Sequence, residues 1–326
     1  MSILILGGAT DPESLRVVEE LEAEGAYYIH LDTANFPESV HLSFLNRSIY
    51  LGREKLDVPH VVYLRGLACH PLRPGLAEEL SSRPQGVLAE CAEKRAMLES
   101  VVMCFQRRGA RIVNSLQANA QHSQKPYQLA LLKAKKLPVP KSLAANDPKA
   151  VRQFVHEVGK AVYKPLAGGA GVQLLQKWDL SDERLATLAA APVLFQEYIE
   201  GVPVRAYVVG QHAVAAAELH SPEVDHRRQE DSVEATRLST DERAAVLAAA
   251  RVCRMHFAGV DLVRYPGGFK IIECNPSPMF AVFEQKTGQN VARPLAAYLI
   301  ECHERKKERS SKSKHSSHKD GHKGRS

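Results

Sequence analysis

The sequence has 326 residues, of which 44% are hydrophobic and 25% are charged. This balance is typical of a folded globular protein and excludes fibrous and wholly disordered classes. No stretch approaches the roughly 18 apolar residues of a transmembrane helix, and the N-terminus lacks the basic leader of a signal peptide. Six cysteines without a Cys-x-x-Cys pair favour buried thiols in a reducing compartment, so we expect a cytoplasmic protein.

The net charge of +6 is concentrated at the C-terminal end. Residues 306–326 contain eight Lys or Arg and two Asp or Glu, so the rest of the sequence is electrically balanced. Because this segment has no apolar side chain to bury, we expect it to be a disordered tail. It either solubilises the terminus or contacts an acidic peptide, nucleic acid or membrane surface. The fold itself gives no reason to expect nucleic acid or a membrane as a partner.

The first third of the sequence alternates strand-like and helix-like segments. Strand–helix–strand order predicts a parallel sheet covered by helices, and hence an α/β domain. Gly7-Gly8 and Asp32 follow the first two strands, as in dinucleotide-binding folds. The full G-x-G-x-x-G is missing, so nicotinamide binding is disfavoured. The predicted strands are residues 2–6, 27–31, 61–64 and 111–113, and the predicted helices are residues 11–24 and 101–108.

Beyond about residue 115 the pattern becomes one of short strands joined by glycine-containing turns. Ser239 and Glu242 form a capping-box pattern at the start of one helix. This mixture predicts an α+β region after the α/β domain. The predicted helices are residues 126–136, 147–158, 240–257 and 288–304.

A hairpin near residue 267 carries the strongest chemical pattern. If Pro266-Gly267-Gly268 forms a turn centred on Gly267, Asp261 and Glu273 lie opposite each other on neighbouring strands, with Asn275 on the same face. Two facing carboxylates repel each other unless a cation lies between them. Oxygen ligands of this kind suit Mg²⁺, so we predict a metal site, the alternative being a solvated hairpin face.

A second pattern combines a strand lysine with a glycine-rich loop. Lys164 lies near the end of a predicted strand, and Gly168, Gly169 and Gly171 follow it. A loop without side chains brings its backbone amides close to phosphate oxygens. No Gly-Lys-Ser/Thr follows, which excludes a Walker A loop. An ordinary hairpin turn is the alternative, and the nearby lysine favours a phosphate site.

A third pattern lies between these two. The strand ending at Gln196-Glu197-Tyr198-Ile199 is predicted to present main-chain amides to the Watson–Crick edge of adenine. Arg205 lies among apolar strand residues, where a cation requires an anionic partner. The alternative for Arg205 is a purely structural ion pair.

The order of these features resembles the ATP-grasp superfamily, especially the ribosomal-protein-S6 glutamate-ligase-like enzymes, over residues 120–304. The resemblance implies ATP held between two α+β subdomains, at residues 119–200 and 201–305, after a pre-ATP-grasp α/β domain at residues 1–118. It further implies Mg²⁺, or Mn²⁺, as the metal.

The resemblance also assigns roles to individual residues. Arg205 matches the arginine that faces the γ-phosphate, and together with Lys164 is expected to be catalytic. Pro203 stands where the family has an acidic residue for the ribose, and Glu200 is near enough to replace it. The implied ATP-binding residues are Lys125, Lys164, Gly168, Gly169, Gly171, Gln196, Glu197, Tyr198, Ile199 and Glu200, and the implied metal ligands are Asp261, Glu273 and Asn275.

A closer resemblance, to the graspetide synthetases, lies in three segments: the N-terminal ILILGGATDPES, residues 221–228 (SPEVDHRR) and the stretch that begins NPSPMF. These ATP-grasp enzymes form ω-ester or ω-amide links in ribosomal peptides. The resemblance implies an ADP-forming ligase with an acyl-phosphate intermediate, acting on a peptide with acidic side chains. The alternatives are a ligase for glutamate or another free amino acid, and a non-catalytic nucleotide-binding module. Whether the chain forms a homo-oligomer is left open.

Overall fold

The computed structural model describes residues 2–71, 76–168, 171–220 and 232–319, the last eleven of these by their backbone alone. The chain divides into two units. The first unit is formed by Met1–Leu116 together with Ala292–Ser326, and the second by Gln117–Val291. Across the described ranges, no helix has both the length and the apolar character needed to cross a membrane.

A parallel sheet with strand order β2-β1-β6-β7 organises the first unit, as predicted. Strand β1 is buried along its whole length, as expected for a parallel strand covered on both faces. Up to residue 113 the elements are β1 (Ile3–Gly7), α1 (Pro12–Ala23), β2 (Tyr28–Asp32), β3 (Leu42–Leu45), β4 (Ser48–Leu51), β5 (Glu54–Leu56), β6 (Val61–Leu64), α2 (Ala77–Ser82), α3 (Pro84–Arg107) and β7 (Arg111–Val113).

Two features of this unit differ from the predictions. The small antiparallel sheet β3-β4-β5 is not predicted, because its strands have only three or four residues each and lie mostly half-exposed. The predicted helix at 101–108 is the end of the 24-residue helix α3. The buried positions of α3, such as Leu98, Val102 and Phe105, recur every three or four residues and pack in the core of the unit.

The second unit contains two antiparallel sheets, with strand orders β10-β9-β11-β8 and β14-β13-β12-β15-β16. The capping box predicted at Ser239 and Glu242 is present at the start of α8. The elements are α4 (Leu116–Ala120), α5 (Lys125–Ala134), β8 (Ser142–Ala145), α6 (Pro148–Val158), β9 (Ala161–Pro165), β10 (Gln173–Leu174), α7 (Asp182–Ala186), β11 (Val193–Glu197), β12 (Val202–Val209), β13 (His212–His220), β14 (Ser232–Ala235), α8 (Thr240–Val252), β15 (Phe257–Tyr265), β16 (Gly268–Asn275) and α9 (Ala281–Thr287).

Each sheet of the second unit buries one face in its own apolar cluster. Tyr163 and Phe195 lie in the cluster that includes α6 and α7. Val204, Val260 and Leu262 lie in the cluster that includes α5 and α8. Because side chains alternate along a strand, residues such as Lys164, Arg205 and Asp261 lie on the opposite faces of the two sheets.

The last helix, α10 (Ala292–Lys319), belongs to the first unit. Its buried residues Leu295 and Leu299 are completely enclosed. The predicted subdomain 201–305 therefore differs from the observed second unit, which ends at Val291. The prediction of a disordered tail from residue 306 also differs from the structure, in which residues 306–319 continue α10. Lys306, which donates a hydrogen bond to the Gly109 carbonyl, links the start of this segment to the unit, and residues 320–326 lie outside the described residues.

Candidate active site

The β15–β16 hairpin places Asp261 directly opposite Glu273, as the sequence predicts. The register arises in two steps. Tyr265 pairs with Gly268, so the turn is the two-residue Pro266-Gly267, which by itself would pair Asp261 with Ile272. A β-bulge between Asp261 and Leu262 leaves Ile272 as the extra residue and moves Glu273 opposite Asp261. Without this bulge, Glu273 would face the apolar core.

A row of charged side chains crosses three adjacent strands at this point. Arg205 on β12 pairs in register with Asp261 on β15, which pairs with Glu273 on β16. Arg205 donates Nε to Asp261 Oδ1 at 2.7 Å and Nη2 to Asp261 Oδ2 at 2.9 Å. This bidentate ion pair fixes the orientation of both side chains, since the planar guanidinium matches the geometry of the carboxylate. The ionic partner expected for Arg205 is therefore a carboxylate of the same sheet.

Two buried lysines reach the other carboxylate of the row. Lys125, at the start of α5, donates Nζ to Glu273 Oε2 at 2.7 Å, and the Lys164 Nζ lies 3.4 Å from the same oxygen. The two lysines are only 5% and 3% exposed. Lysine is almost never buried to this degree unless it is paired. The two phosphate lysines implied by the family resemblance thus converge on one predicted metal ligand.

The charges of this cluster leave an excess of positive charge. The cations are Lys125, Lys164 and Arg205, and the carboxylates are Asp261 and Glu273. Burying these charges costs more free energy than a hydrophobic cluster of the same volume, so their presence favours a role other than stability. An anion such as a phosphate group, with its own counter-cation, would complete the balance.

The predicted metal ligands have the donor chemistry that Mg²⁺ requires. Asp261 and Glu273 lie on one face in register, and Asn275 pairs with Gly259 one row further on. Carboxylate and amide oxygens suit a cation that keeps other positions for water and phosphate. Within the described ranges, no group of three or more His, Cys, Asp or Glu is arranged to hold a metal. A metal here would therefore depend on Asn275 and on phosphate oxygens.

The loop after Asn275 packs closely over the same face. Asn275 Oδ1 accepts a hydrogen bond from the Ser277 N–H at 3.1 Å, and the Tyr207 hydroxyl donates to the Met279 carbonyl at 2.5 Å. A Cβ at Gly259 would lie 2.8 Å from the Pro278 Cβ, closer than carbon atoms approach. Glycine at position 259 therefore allows this loop to cross β15 beside the acidic row.

The glycine-rich loop lies partly outside the described residues, which exclude Gly169. Gly168 has a φ of +82°, a conformation that favours glycine. A Cβ there would meet the imidazole of His122 at 3.3 Å. Gly171 stands two residues before β10. The loop therefore approaches the segment that precedes Lys125, which no sequence pattern indicates.

The predicted adenine-binding strand presents fewer amides than expected. The Glu197 N–H donates to the Lys141 carbonyl and the Tyr198 N–H donates to the Lys160 carbonyl, both at 2.9 Å. Of the backbone amides of Glu197, Tyr198 and Ile199, the first two therefore already donate hydrogen bonds to the segments beside β11. In the described part of the chain, only the Ile199 amide of these three lacks an acceptor.

The side chains of Gln196, Glu197 and Tyr198 contact other residues of the second unit. Gln196 is buried and donates Nε2 to the Ser142 hydroxyl at 3.0 Å. The Glu197 carboxylate lies 3.6 Å from the Lys270 ammonium, and the Lys160 ammonium lies 4.2 Å from the centre of the Tyr198 ring. Glu200 is exposed.

One residue of the site was missed by the sequence analysis. Gln128, one turn after Lys125 on α5, donates Nε2 to the Cys274 carbonyl and accepts from the Cys274 N–H, both at 2.8 Å. Cys274 lies between Glu273 and Asn275. The available signal was the spacing of Lys125 and Gln128, which places both on one helix face. The hydrogen bond with the Cys253 thiol, together with burial, raises the pKa of the Cys274 thiol well above its ordinary value. Cys274 itself is buried in the apolar cluster of the sheet.

Two antiparallel sheets in one unit, with buried lysines and an arginine meeting a pair of strand carboxylates, define a nucleotide-dependent ligase of the ATP-grasp type. Residues 122–299 match the RimK-like ATP-grasp domain family. The chain belongs to this family and is an ATP-grasp ligase. The family resemblance and the fold class predicted from the sequence are confirmed.

Relatives and solved structures support the same assignment. The probable alpha-L-glutamate ligase 2 of Shewanella amazonensis is 32% identical over 212 residues, 61% of this chain and 70% of the relative. The ATP-grasp ligase PsnB, solved with a phosphomimetic variant of a minimal precursor, Mg and ADP, is 33% identical with a TM-score of 0.85, covering 93% of this chain and 99% of PsnB. The macrocyclase MdnC of Microcystis aeruginosa MRC, bound with precursor peptide MdnA, is 22% identical with a TM-score of 0.76, covering 92% and 99%, and supports the fold alone.

Proposed function

We propose that this chain transfers the γ-phosphoryl group of ATP to a carboxylate and then joins the acyl phosphate to an amine or hydroxyl group. The observation that carries the proposal is the in-register row of Arg205, Asp261 and Glu273, with Lys125 and Lys164 on its last carboxylate.

The reaction follows from the weakness of carboxylates as electrophiles. Phosphorylation of one carboxylate oxygen releases ADP and supplies phosphate as a leaving group. The amine or hydroxyl group then attacks the carbonyl carbon, the bond to phosphate breaks, and the attacking group loses a proton. Such reactions depend mainly on positioning and on stabilising charge, with little covalent participation of the protein.

The charged residues of the row fit these tasks. Lys125 and Lys164 would bind phosphate oxygens, and Arg205 would stabilise the charge that develops on the transferring phosphoryl group. Mg²⁺ bound by Asp261, Glu273 and Asn275 would supply further positive charge to the phosphate oxygens. The Ile199 amide would bind the adenine, and the loop at Gly168, Gly169 and Gly171 would contact the phosphates.

For the substrate, we propose an Asp or Glu side chain of a ribosomally made peptide, joined to Lys, Ser or Thr of that peptide. The support is the similarity to PsnB, a ligase solved with its minimal precursor, which extends over 93% of this chain at 33% identity. The similarity includes the first unit as well as the ATP-grasp region.

Addition of glutamate to a protein terminus or to another amino acid is the second candidate. The observation in its favour is the set of glutamate ligases among the curated relatives, of which one is 32% identical over 61% of this chain. Both candidates share the acyl-phosphate step and differ in the carboxylate that is phosphorylated and in the group that attacks it.

The experiment incubates the full chain with ATP and Mg²⁺, once with synthetic peptides that contain Glu or Asp beside Thr, Ser or Lys, and once with free glutamate and an acceptor peptide. We expect ADP release together with loss of one water per bond from the first peptides, measured by mass spectrometry. Gain of glutamyl residues would select the second candidate. ADP release without either product, or no ADP at all, would contradict the peptide-ligase proposal.

Matched variants identify the site of this reaction. Glu273→Gln keeps the size of the side chain and removes its charge, and we expect it to abolish ADP release at normal Mg²⁺. Glu234→Gln makes the same change at an exposed position on β14 and should retain wild-type turnover. Equal activity of the two variants would show that the metal assignment is wrong.

A further inference from the structure

Strand β16 is an edge strand, and its outward backbone groups are covered by other parts of the second unit. It stands last in the order β14-β13-β12-β15-β16. The Ile271 N–H donates to the Pro138 carbonyl at 2.7 Å, and Gln128 bonds both the N–H and the carbonyl of Cys274. Unpaired backbone groups at a buried edge cost free energy, so the Gln128 amide replaces the missing neighbouring strand.

The two hydrogen bonds of Gln128 to Cys274, which we call the clamp, lie beyond the bulge of β16. The register set by the turn ends at the bulge residue Ile272, and Glu273, Cys274 and Asn275 come after it. A bulge interrupts the ladder, so the turn alone does not fix the residues beyond it. Gln128 holds the residue between two predicted metal ligands, and both of its hydrogen bonds are buried.

We infer that Gln128 is a positioning residue for the metal site, which keeps the Glu273 and Asn275 oxygens directed toward one cation. The inference rests on the proposed function, because it presumes the metal ligands named there. Gln128 touches no reacting group and acts through the backbone of Cys274. It shares α5 with Lys125, so one helix holds both the Glu273 carboxylate and the peptide that follows it.

The chain contains a second clamp of the same kind that can serve as a control. Gln289 donates Nε2 to the Ala216 carbonyl at 2.8 Å and accepts from the Ala216 N–H at 3.0 Å. Ala216 lies on β13 in the same sheet, separated from β16 by β12 and β15. Gln289→Met and Gln128→Met therefore each remove one pair of hydrogen bonds at nearly constant side-chain volume. The pair at Gln289 is part-buried, and the Ala216 carbonyl keeps the Thr236 N–H as a donor. Only the pair at Gln128 concerns the metal strand.

The test compares the two variants with the wild-type full chain. The direct readout is the binding of Mn²⁺ in the presence of ADP, followed by the loss of the electron paramagnetic resonance signal of the free ion. We expect Gln128→Met to weaken Mn²⁺ binding by roughly ten- to a hundredfold, the loss found when a group that orients metal ligands is removed. The Mg²⁺ concentration for half-maximal ADP release should rise by a similar factor. Gln289→Met should leave both values unchanged.

Thermal unfolding of the three proteins separates metal positioning from a general loss of stability. We expect the unfolding midpoint to decrease in both variants, and more in Gln128→Met, because its two lost hydrogen bonds are buried whereas those of Gln289 are part-buried. Should Gln128→Met fail to fold, Gln128→Asn, which is too short to make both bonds, takes its place. Equal Mn²⁺ affinity in the wild type and a folded Gln128 variant would overturn the inference while leaving the metal site intact. Absence of Mn²⁺ binding to the wild type would overturn the proposed metal site, and the inference with it.

Discussion

At the level of single residues, both carboxylates of the acidic row already have cationic partners in the protein. Arg205 bonds Asp261 through two nitrogens, and Lys125 and Lys164 share one oxygen of Glu273. A cation bound between the carboxylates would therefore compete with these side chains. The same side chains are then available to an anion, so metal and phosphate binding are expected to reinforce each other.

The role of Arg205 can be tested by its removal. We expect Arg205→Ala to lower the rate of ADP formation by roughly 100- to 1,000-fold, because a donor directed at developing charge is lost. Nucleotide binding, measured by calorimetry, should remain detectable, since Lys125 and Lys164 are unchanged. Arg243→Ala, at an exposed position on α8, is the control and should turn over normally. Near-normal ligation by Arg205→Ala would contradict the assigned role.

At the level of elements, the β15–β16 hairpin shows what sequence reasoning can and cannot reach. The hairpin and its turn at Pro266-Gly267 are predictable from the sequence, but this turn alone would pair Asp261 with Ile272. The bulge at Ile272 is not predictable, because it depends on the packing of both strands against the core. The sequence analysis centres the turn on Gly267, whereas the observed turn is centred between Pro266 and Gly267. This displacement happens to offset the missing bulge, so the predicted pairing of Asp261 with Glu273 is correct.

Other elements were predictable in type but not in their contacts. The helix of Lys125 follows from its sequence pattern, whereas the hydrogen bonds of Gln128 to β16 join residues 146 positions apart. Local patterns do not contain such long-range partners. The amides of Glu197 and Tyr198 illustrate the same limit, since their bonds to Lys141 and Lys160 depend on how the neighbouring segments are placed.

His303 of helix α10 forms a pair with His60, which immediately precedes β6, and the titration of this pair affects stability. The His60 and His303 Nδ1 atoms lie 3.2 Å apart, with Lys306 nearby. Burial lowers the pKa of both imidazoles below their ordinary value of about 6.5, and the other ring and the lysine add to this for His60. The unfolded chain therefore binds protons first, so the stability present above about pH 6.5 is lost as the pH falls toward the lower folded pKa values.

We expect the thermal unfolding midpoint of the wild type to fall between about pH 7.5 and about pH 5.5, and to fall less in His303→Gln. His212→Gln, at the exposed first residue of β13, should follow the wild-type curve. Scanning calorimetry at several pH values measures this difference. Parallel curves for the wild type and His303→Gln would mean that the pair does not titrate in this range.

At the level of the whole molecule, the chain contributes two distant segments to its first unit. Residues of α10 complete the core that β1, β6 and α1 begin, and the second unit is formed entirely by the sequence between them. The predicted boundaries follow the ATP-grasp pattern of the sequence and assign α10 to the preceding subdomain. In the sequence, α10 directly follows the second unit. In the structure, it packs against α1, β1 and β6 of the first unit.

The contribution of α10 can be measured at one residue. Leu299 is completely buried, and we expect Leu299→Ala to lower the free energy of unfolding by about 2–5 kcal/mol, from lost burial and the resulting cavity. Glu301→Ala, two residues further on at an exposed position, should change it by less than about 0.5 kcal/mol. Urea denaturation of the two variants provides the comparison. A small effect of Leu299→Ala would show that α10 is dispensable for the first unit.

The order of assembly during synthesis follows from this division. Residues 2–113 leave the ribosome first, yet the helix that closes their core is translated only after residue 291. The second unit is then complete and able to fold, while the nascent first unit still exposes the apolar surface that Leu295 and Leu299 later cover. An arrest of translation before α10 would therefore leave a chain with one finished unit and one whose apolar surface is still exposed.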